Sequence, residues 1–227
     1  MKACSALRST SLTVSLLATL AAAQLPGLIT GTVQDEEGSP VVQAQVRVDP
    51  LDGRPTVRAV RMVETGKDGH FIMNNLEPMG YKVFAMKESA GYPDTSGAFY
   101  SNNVFPTVTL TASVPAVDIT LKVGPPAGVM SGSVTDALTG APVPASFLLR
   151  RTLDPGKWIS MSQKSDYRVL VPPSVKVSVE VSAPGYKTWF YGGPSDTLNR
   201  PPIRLDSGKG MRLDIQLQPE VKLDKQP

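Results

Sequence analysis

The chain carries one short pattern twice, with the copies about a hundred residues apart. Residues 29–41 read ITGTVQDEEGSPV, and residues 130–143 read MSGSVTDALTGAPV. In each copy a strand-like Gly-(Thr/Ser)-Val leads into an acidic turn, and Gly-(Ser/Ala)-Pro-Val then restarts the chain. This spacing is that of a domain rather than that of a solenoid repeat. The doubled pattern therefore predicts two copies of one small module.

The N-terminal residues have the layout of a secretory signal peptide. Lys2 and Arg8 supply a positive start, an apolar run covers residues 11–20, and three alanines precede Gln24. The apolar run is too short to cross a bilayer. We therefore expect export to a periplasm or to the extracellular space, with no transmembrane segment in the mature chain.

Cysteine content and charge exclude several classes of function. Cys4 is the only cysteine, so the mature chain has no thiol for a disulfide or a metal. Loss of Lys2 and Arg8 leaves 21 basic against 20 acidic residues, without a basic stripe. We expect no nucleic-acid partner, because such proteins concentrate positive charge on one face. We also expect no metal, no cofactor and a monomer.

Period-two alternation of polar and apolar residues dominates after residue 24. Residues 175–181, VKVSVEV, show it most clearly, and this predicts a strand with one buried face and one wet face. Frequent Pro and Gly separate such segments. Strands are predicted near residues 28–34, 44–49, 57–64, 70–74, 80–87, 105–111, 116–123, 129–135, 145–151, 157–163, 167–171, 174–182, 186–191 and 211–218.

The expected fold class is all-β, with two consecutive seven-stranded antiparallel β-sandwich domains after a signal peptide. Paired prolines between the modules favour a fairly stiff connection. The expected division is a leader (1–23), a first sandwich (24–124), a Pro/Gly linker (125–128), a second sandwich (129–219) and a tail (220–227).

The repeated residues also match the pattern of a known family. The opening strand and turn match at Gly31, Val33, Asp35, Gly38, Pro40, Val41 and Ala44, and again at Gly132, Val134, Asp136, Gly140, Pro142, Val143 and Ala145. The middle of the pattern matches in the first module at Asp68, Gly69, Phe71, Leu76, Pro78, Gly80 and Tyr81. In the second module, residues 165–167 and 173–175 depart from it. Each module resembles a carboxypeptidase regulatory-like domain, a sandwich of transthyretin-like (prealbumin-like) type. The resemblance implies an exported bacterial protein of tandem modules without catalysis.

Two polar segments, residues 88–104 and 192–202, do not reduce to strands and turns. Each is rich in Gly, Ser, Pro, Asn and Asp and comes before a closing strand. Long polar loops on a rigid sandwich are where binding functions tend to lie. If Phe190 is in the core, strand alternation leaves its two aromatic neighbours side by side near the surface, ready to stack on a sugar ring. The candidate carbohydrate-binding residues are Trp189, Tyr191, Asp196, Asn199, Tyr100 and Asn102.

Each candidate has a plainer interpretation. Trp189 and Tyr191 can instead cap the end of the sandwich, with their polar tips in water. His70, the only histidine, reads as a polar residue at the start of a strand. Residues 35–37, Asp-Glu-Glu, read as a solvated turn rather than a calcium site.

We therefore expect an exported, non-catalytic structural or interaction protein at the cell envelope. Its partner would be an unidentified protein or a polysaccharide of the cell surface. Carbohydrate binding is the alternative function. A hydrolase is a remote alternative, since no paired acid and base stand out in the sequence.

Overall fold

The computed structural model describes residues 26–52, 61–100, 105–193 and 200–220. We call residues 26–122 the first half and residues 128–220 the second half. The strands of the first half are β1 (Gly27–Gln34), β2 (Gln45–Pro50), β3 (Arg61–Glu64), β4 (His70–Leu76), β5 (Gly80–Met86), β6 (Thr107–Thr109) and β7 (Ala116–Lys122). One helical turn of 3₁₀ type, Glu88–Ala90, follows β5.

Two sheets face each other in the first half. One has the strand order β4-β1-β7, and the other has the order β3-β2-β5-β6. Strand β1 pairs antiparallel with β4 and parallel with β7. The remaining neighbours in the second sheet are antiparallel.

The second half repeats this arrangement. Its strands are β8 (Gly128–Asp136), β9 (Ala145–Arg151), β10 (Trp158–Gln163), β11 (Asp166–Val171), β12 (Val177–Ser182), β13 (Trp189–Phe190), β14 (Gly210–Arg212) and β15 (Ile215–Leu217). One sheet has the order β11-β8-β14, with β15 also paired to β8, and the other has the order β10-β9-β12-β13. As in the first half, the opening strand pairs antiparallel with one neighbour and parallel with the closing strands.

Each half has its own cluster of buried side chains between its sheets. Strand β1 buries alternate residues, including Ile29 and Val33, against Phe71 of β4 and Val46 of β2. Strand β12 contributes its valines to the second cluster. Alternation in the sequence therefore becomes a dry face and a wet face in the sheets, as a sandwich requires.

The first glycine of the repeated pattern is required by the parallel pairing. A Cβ atom on Gly31 would lie 2.0 Å from the carbonyl oxygen of Ile119 in β7. A Cβ atom on Gly132 would lie 2.1 Å from the carbonyl oxygen of Leu213. Both distances are far below van der Waals contact. The two copies thus use glycine at the same place because the closing strand passes too close for any side chain.

The acidic turn of the second copy is tied to the end of the same module. The Oδ1 atom of Asp136 accepts hydrogen bonds from the backbone N–H groups of Leu138 (2.7 Å) and Thr139 (2.8 Å). The hydroxyl of Tyr186 donates to Oδ2 of Asp136 over 2.9 Å. The Thr139 and Leu138 N–H groups, with the Tyr186 hydroxyl, lower the pKa of Asp136. In the second half this aspartate and tyrosine therefore tie the opening turn to the segment after β12.

The all-β prediction is confirmed, and most strand positions agree with the sequence within a few residues. The sheets differ from the expected antiparallel type in one respect, since the opening and closing strands pair in parallel. The segment predicted as one strand over 211–218 is two short strands, β14 and β15. Part of the segment predicted over 57–64 lies outside the described residues.

The connection between the halves makes hydrogen bonds on both sides. The backbone N–H of Ala127 donates to the carbonyl of Gly91 in the first half over 2.8 Å. The carbonyl of Pro126 accepts from the Ser207 hydroxyl (3.0 Å) and from the backbone N–H of Gly208 (3.2 Å) in the second half. The linker is therefore held by both halves. Within the described ranges no helix has the length and apolar character needed to cross a membrane.

Candidate functional site

The most unusual feature of the structure is the long segment between β5 and β6. We call residues 88–106 the junction loop; of these, 101–104 are outside the described residues. It begins with the 3₁₀ turn and a left-handed Gly91 with a φ of 89°. It leaves the first half, contacts the second half, and returns to β6.

The first part of the junction loop is held on the outer face of the first half. The guanidinium of Arg47 in β2 donates to both carboxylate oxygens of Asp49 (3.1 and 2.9 Å) and to Asp94 in the loop (3.1 Å). At the other end of the loop, the Phe105 ring packs edge-on against Phe84 of β5, with 4.9 Å between centroids. Since Phe84 is 4 % exposed, the loop buries a ring on a face that would otherwise be wet.

Phe99 of the junction loop belongs to the core of the second half. Its side chain is 2 % exposed and lies in the same buried cluster as Phe147 and Val169. Its carbonyl accepts a hydrogen bond of 2.8 Å from Nε of Arg151, at the end of β9. A residue of the segment between β5 and β6 thus completes a core built from β8 to β15.

Tyr100 lies beside Phe99 and makes a second connection. Its ring meets the Phe99 ring edge-on, with 4.9 Å between centroids. Its hydroxyl donates to the carbonyl of Leu170 in β11 over 3.0 Å. Burial, and to a smaller extent the charge of Glu88, raises the pKa of Tyr100 far above its ordinary value. The hydroxyl therefore stays protonated and able to donate throughout the physiological range.

Further contacts surround this connection. Arg168 of β11 donates to the carbonyl of Glu88 over 3.2 Å. A cavity of about 280 Å³ is lined by the junction loop, by β5, by the end of β7 with the residues after it, and by Pro173 of the second half. Its walls include rings and prolines from both halves, namely Phe84, Tyr92, Tyr100, Phe105, Pro125 and Pro173.

Trp189 and Tyr191 lie on the core side of their sheet. Trp189 pairs with Val181, and the backbone N–H of Tyr191 bonds to the carbonyl of Val179. Opposed residues in an antiparallel pair point to the same face, and both valines are buried. Phe190 pairs with Glu180 and therefore points outward, where the Arg200 guanidinium lies 3.8 Å from its ring centroid.

The sequence placed Trp189 and Tyr191 near the surface on the condition that Phe190 lies in the core. The register of β13 on β12 shows the opposite, since Phe190 points outward. Trp189 and Tyr191 are half-buried and pack against the second core. Their centroids are 6.4 Å apart and their planes are inclined by 61°, so they do not form one flat surface. The structure brings these two candidates together. Tyr100 bonds instead to β11 in the facing sheet, while Asn102, Asp196 and Asn199 lie outside the described residues.

Comparison with known families gives a match over residues 28–122, to the carboxypeptidase regulatory-like domain. The first half therefore has a carboxypeptidase regulatory-like fold. No curated protein matches the chain.

Comparison with solved structures finds matches to bacterial proteins, two of which are pilins. The Bacillus anthracis TIE protein shares 15% identity at a TM-score of 0.35, over 86% of this chain and 34% of its own length. A streptococcal ancillary pilin shares 14% at 0.38, over 88% of this chain and 64% of its own. The minor pilin GBS52 of Streptococcus agalactiae shares 13% at 0.35, over 88% and 99%. The chain thus spans about a third of the first of these proteins and just under two thirds of the second.

The other polar candidates of the first half have structural contacts. Oδ1 of Asp35 accepts from the backbone N–H of Ser39 over 2.7 Å, within its own turn. His70 begins β4, and its backbone N–H donates to Asp68 over 3.0 Å. Among the described residues no three His, Cys, Asp or Glu side chains are grouped as a metal site would require.

Sequence reasoning missed the role of Phe99 and of its partner Arg151, and also the contact of Arg168 with the carbonyl of Glu88. The one available signal was a phenylalanine in a segment otherwise rich in Gly, Ser and Asn. A large apolar side chain in a polar loop needs a place to be buried. Nothing local indicates that this place is the core of the other half.

Proposed function

We propose that the chain is an exported, non-catalytic structural or interaction protein of the cell envelope, in which two β-sandwich modules are held in a fixed relation. The observation that carries the proposal is the burial of Phe99 from the first half in the core of the second. A ring inserted in this way opposes relative motion of the modules. Such a connection suits a protein that transmits distance and orientation rather than one that opens around a substrate.

The hydrogen bonds around Phe99 support the same proposal. Backbone carbonyls at Phe99, Glu88 and Leu170 are used across the junction. The aromatic and polar residues of the junction loop are therefore engaged in internal contacts. Small-angle X-ray scattering of the protein should give one rigid particle. Scattering that requires an ensemble of module arrangements would contradict the proposal.

Export is tested separately. Mass spectrometry of the protein released by a secreting bacterium should find a chain that begins at Gln24. A full-length chain retained in the cytoplasm would refute the assignment of residues 1–23 as a leader, without bearing on the rigid connection.

Carbohydrate binding is the second candidate, and it rests on the partly accessible rings of Trp189 and Tyr191. If these rings hold a sugar, Trp189→Phe should weaken retention on the glycan identified by a glycan array. Phe190→Ala is the matched control, because that ring lies on the opposite face of the strand. Equal loss in both variants, or retention unchanged by Trp189→Phe, would count against this site.

A further inference from the structure

The turn between β9 and β10 has an exposed leucine at its tip. The backbone N–H of Arg151 bonds to the carbonyl of Lys157 over 3.0 Å, and the N–H of Lys157 bonds to the carbonyl of Asp154 over 2.9 Å. These bonds close the hairpin and hold residues 152–156 outside the sheet. Leu153 is 93% exposed, the highest value among the exposed large apolar side chains of the described residues. We call residues 150–158 the hairpin tip.

Positive charge surrounds this leucine. A shallow cavity of about 350 Å³ beside it is lined by the apolar side chains of Leu153 and Val175 and by Arg151, Lys176 and Arg204. Lys176 and Arg204 are exposed. Asp154 also lines the cavity, but its carboxylate lies 3.4 Å from Nζ of Lys157 and is partly compensated by that charge. The balance around Leu153 is therefore positive.

The hairpin tip ends at a tryptophan. Trp158 begins β10 and is 52% exposed. The guanidinium of Arg150 lies 5.8 Å from its ring centroid. Tryptophan with a cation beside it is favoured at the boundary between lipid headgroups and hydrocarbon. An exposed leucine with cations and a tryptophan near it therefore matches the apolar, boundary and anionic layers of a membrane surface.

We propose that the hairpin tip docks on a lipid surface that carries anionic headgroups, with Leu153 inserted at the boundary of the acyl chains and Lys176 and Arg204 on the headgroups. A soluble polyanion would satisfy the cations equally well, but it would leave Leu153 in water. The leucine is therefore the feature that selects a membrane. This docking goes beyond the proposed structural role and does not depend on it.

The experiment is sedimentation of the full protein with lipid vesicles. One set contains phosphatidylcholine alone, and the other contains phosphatidylcholine with anionic phosphatidylglycerol. The protein should sediment with the anionic vesicles only, and added salt should release it. Arg204→Gln should lower the partition coefficient about five-fold, the equivalent of about 1 kcal/mol for one cation near an anionic surface.

Leu153→Asp tests the insertion of the tip, and Leu138→Asp is its matched control. Leu138 is 78% exposed in the turn before β9, so it lies at the opposite end of the same strand. Leu153→Asp should lower binding about tenfold or more, because the buried apolar side chain is lost and a negative charge is added. Leu138→Asp should leave binding unchanged. Circular dichroism of both variants reports whether they are folded.

Three results would overturn the proposal. The wild-type protein fails to bind anionic vesicles; folded Leu153→Asp binds as well as wild type; or the two leucine variants lose binding equally. A polyglutamate column supplies a further arm. Retention there that survives Leu153→Asp, together with vesicle binding that also survives it, would indicate a soluble polyanion as the partner and would reject the membrane.

Discussion

Replacing Phe99 with alanine should destabilise the second half of the chain, although Phe99 belongs to the segment between β5 and β6. The ring is 2% exposed within the second cluster, and removal of such a ring from a core costs about 3–5 kcal/mol. Domains are stable by only about 5–15 kcal/mol. With a shift of about 4–8 °C for each kcal/mol, the transition of the second half should fall by about 12 °C or more.

Tryptophan fluorescence is the appropriate assay, because both tryptophans, Trp158 and Trp189, lie in the second half. Their emission during thermal unfolding therefore reports that half. Phe105→Ala is the matched control, since it removes the same ring from the same loop, but from a contact with Phe84 in the first half. The control should leave the tryptophan transition almost unchanged. If Phe99→Ala leaves it unchanged as well, the assignment of Phe99 to the second core is refuted.

Three further predictions concern the repeated pattern and the junction. Gly132→Ala should disrupt the pairing of β8 with the closing strands, because its Cβ would lie 2.1 Å from the Leu213 carbonyl oxygen. Chemical denaturation should therefore show a large loss of stability. Gly140→Ala is the control: its Cβ meets no atom within 4 Å, so it should show only the smaller cost of its positive φ. The lowered pKa of Asp136 stabilises the folded state at every pH above the unfolded value of about 3.9, and this contribution disappears as the pH falls through the folded value, so Asp136→Asn should flatten the acid limb of a stability–pH profile. Equal acid limbs in both proteins would contradict that role. Burial raises the pKa of Tyr100 well above the ordinary value of about 10, so Tyr100→Phe should leave the absorbance change near pH 10 unaltered. Loss of part of that change in Tyr100→Phe would contradict the burial of this hydroxyl.

Local patterns in the sequence were sufficient for most of the fold. The valines of β12 alternate with polar residues, and the structure buries them in that order. The repeated Gly-x-Val marks the opening strand in both halves, and the structure gives its reason, since the closing strand leaves no room for a side chain at the glycine. The parallel pairing that creates this requirement was not predicted, since it joins strands far apart in the chain.

The candidate site was less predictable because it depends on contacts between distant segments. Whether Trp189 or Phe190 faces the core is decided by the register of β13 on β12, and a shift of one residue exchanges the two faces. In the sequence, Phe99 is an aromatic residue in a polar loop. The structure shows that it is buried in the second core. The polar composition of residues 88–104 marked this loop as functional, but the structure uses it to join the two halves.

We infer that the junction loop holds the two halves in one arrangement. Paired spin labels test it most directly, and the lone Cys4 can be removed as Cys4→Ser. Labels at Ile72→Cys in β4 and Leu138→Cys in the second half would occupy exposed positions, 56% and 78% accessible. Double electron–electron resonance should give a single narrow distance distribution. A broad or multimodal distribution in the otherwise unaltered protein would contradict the account.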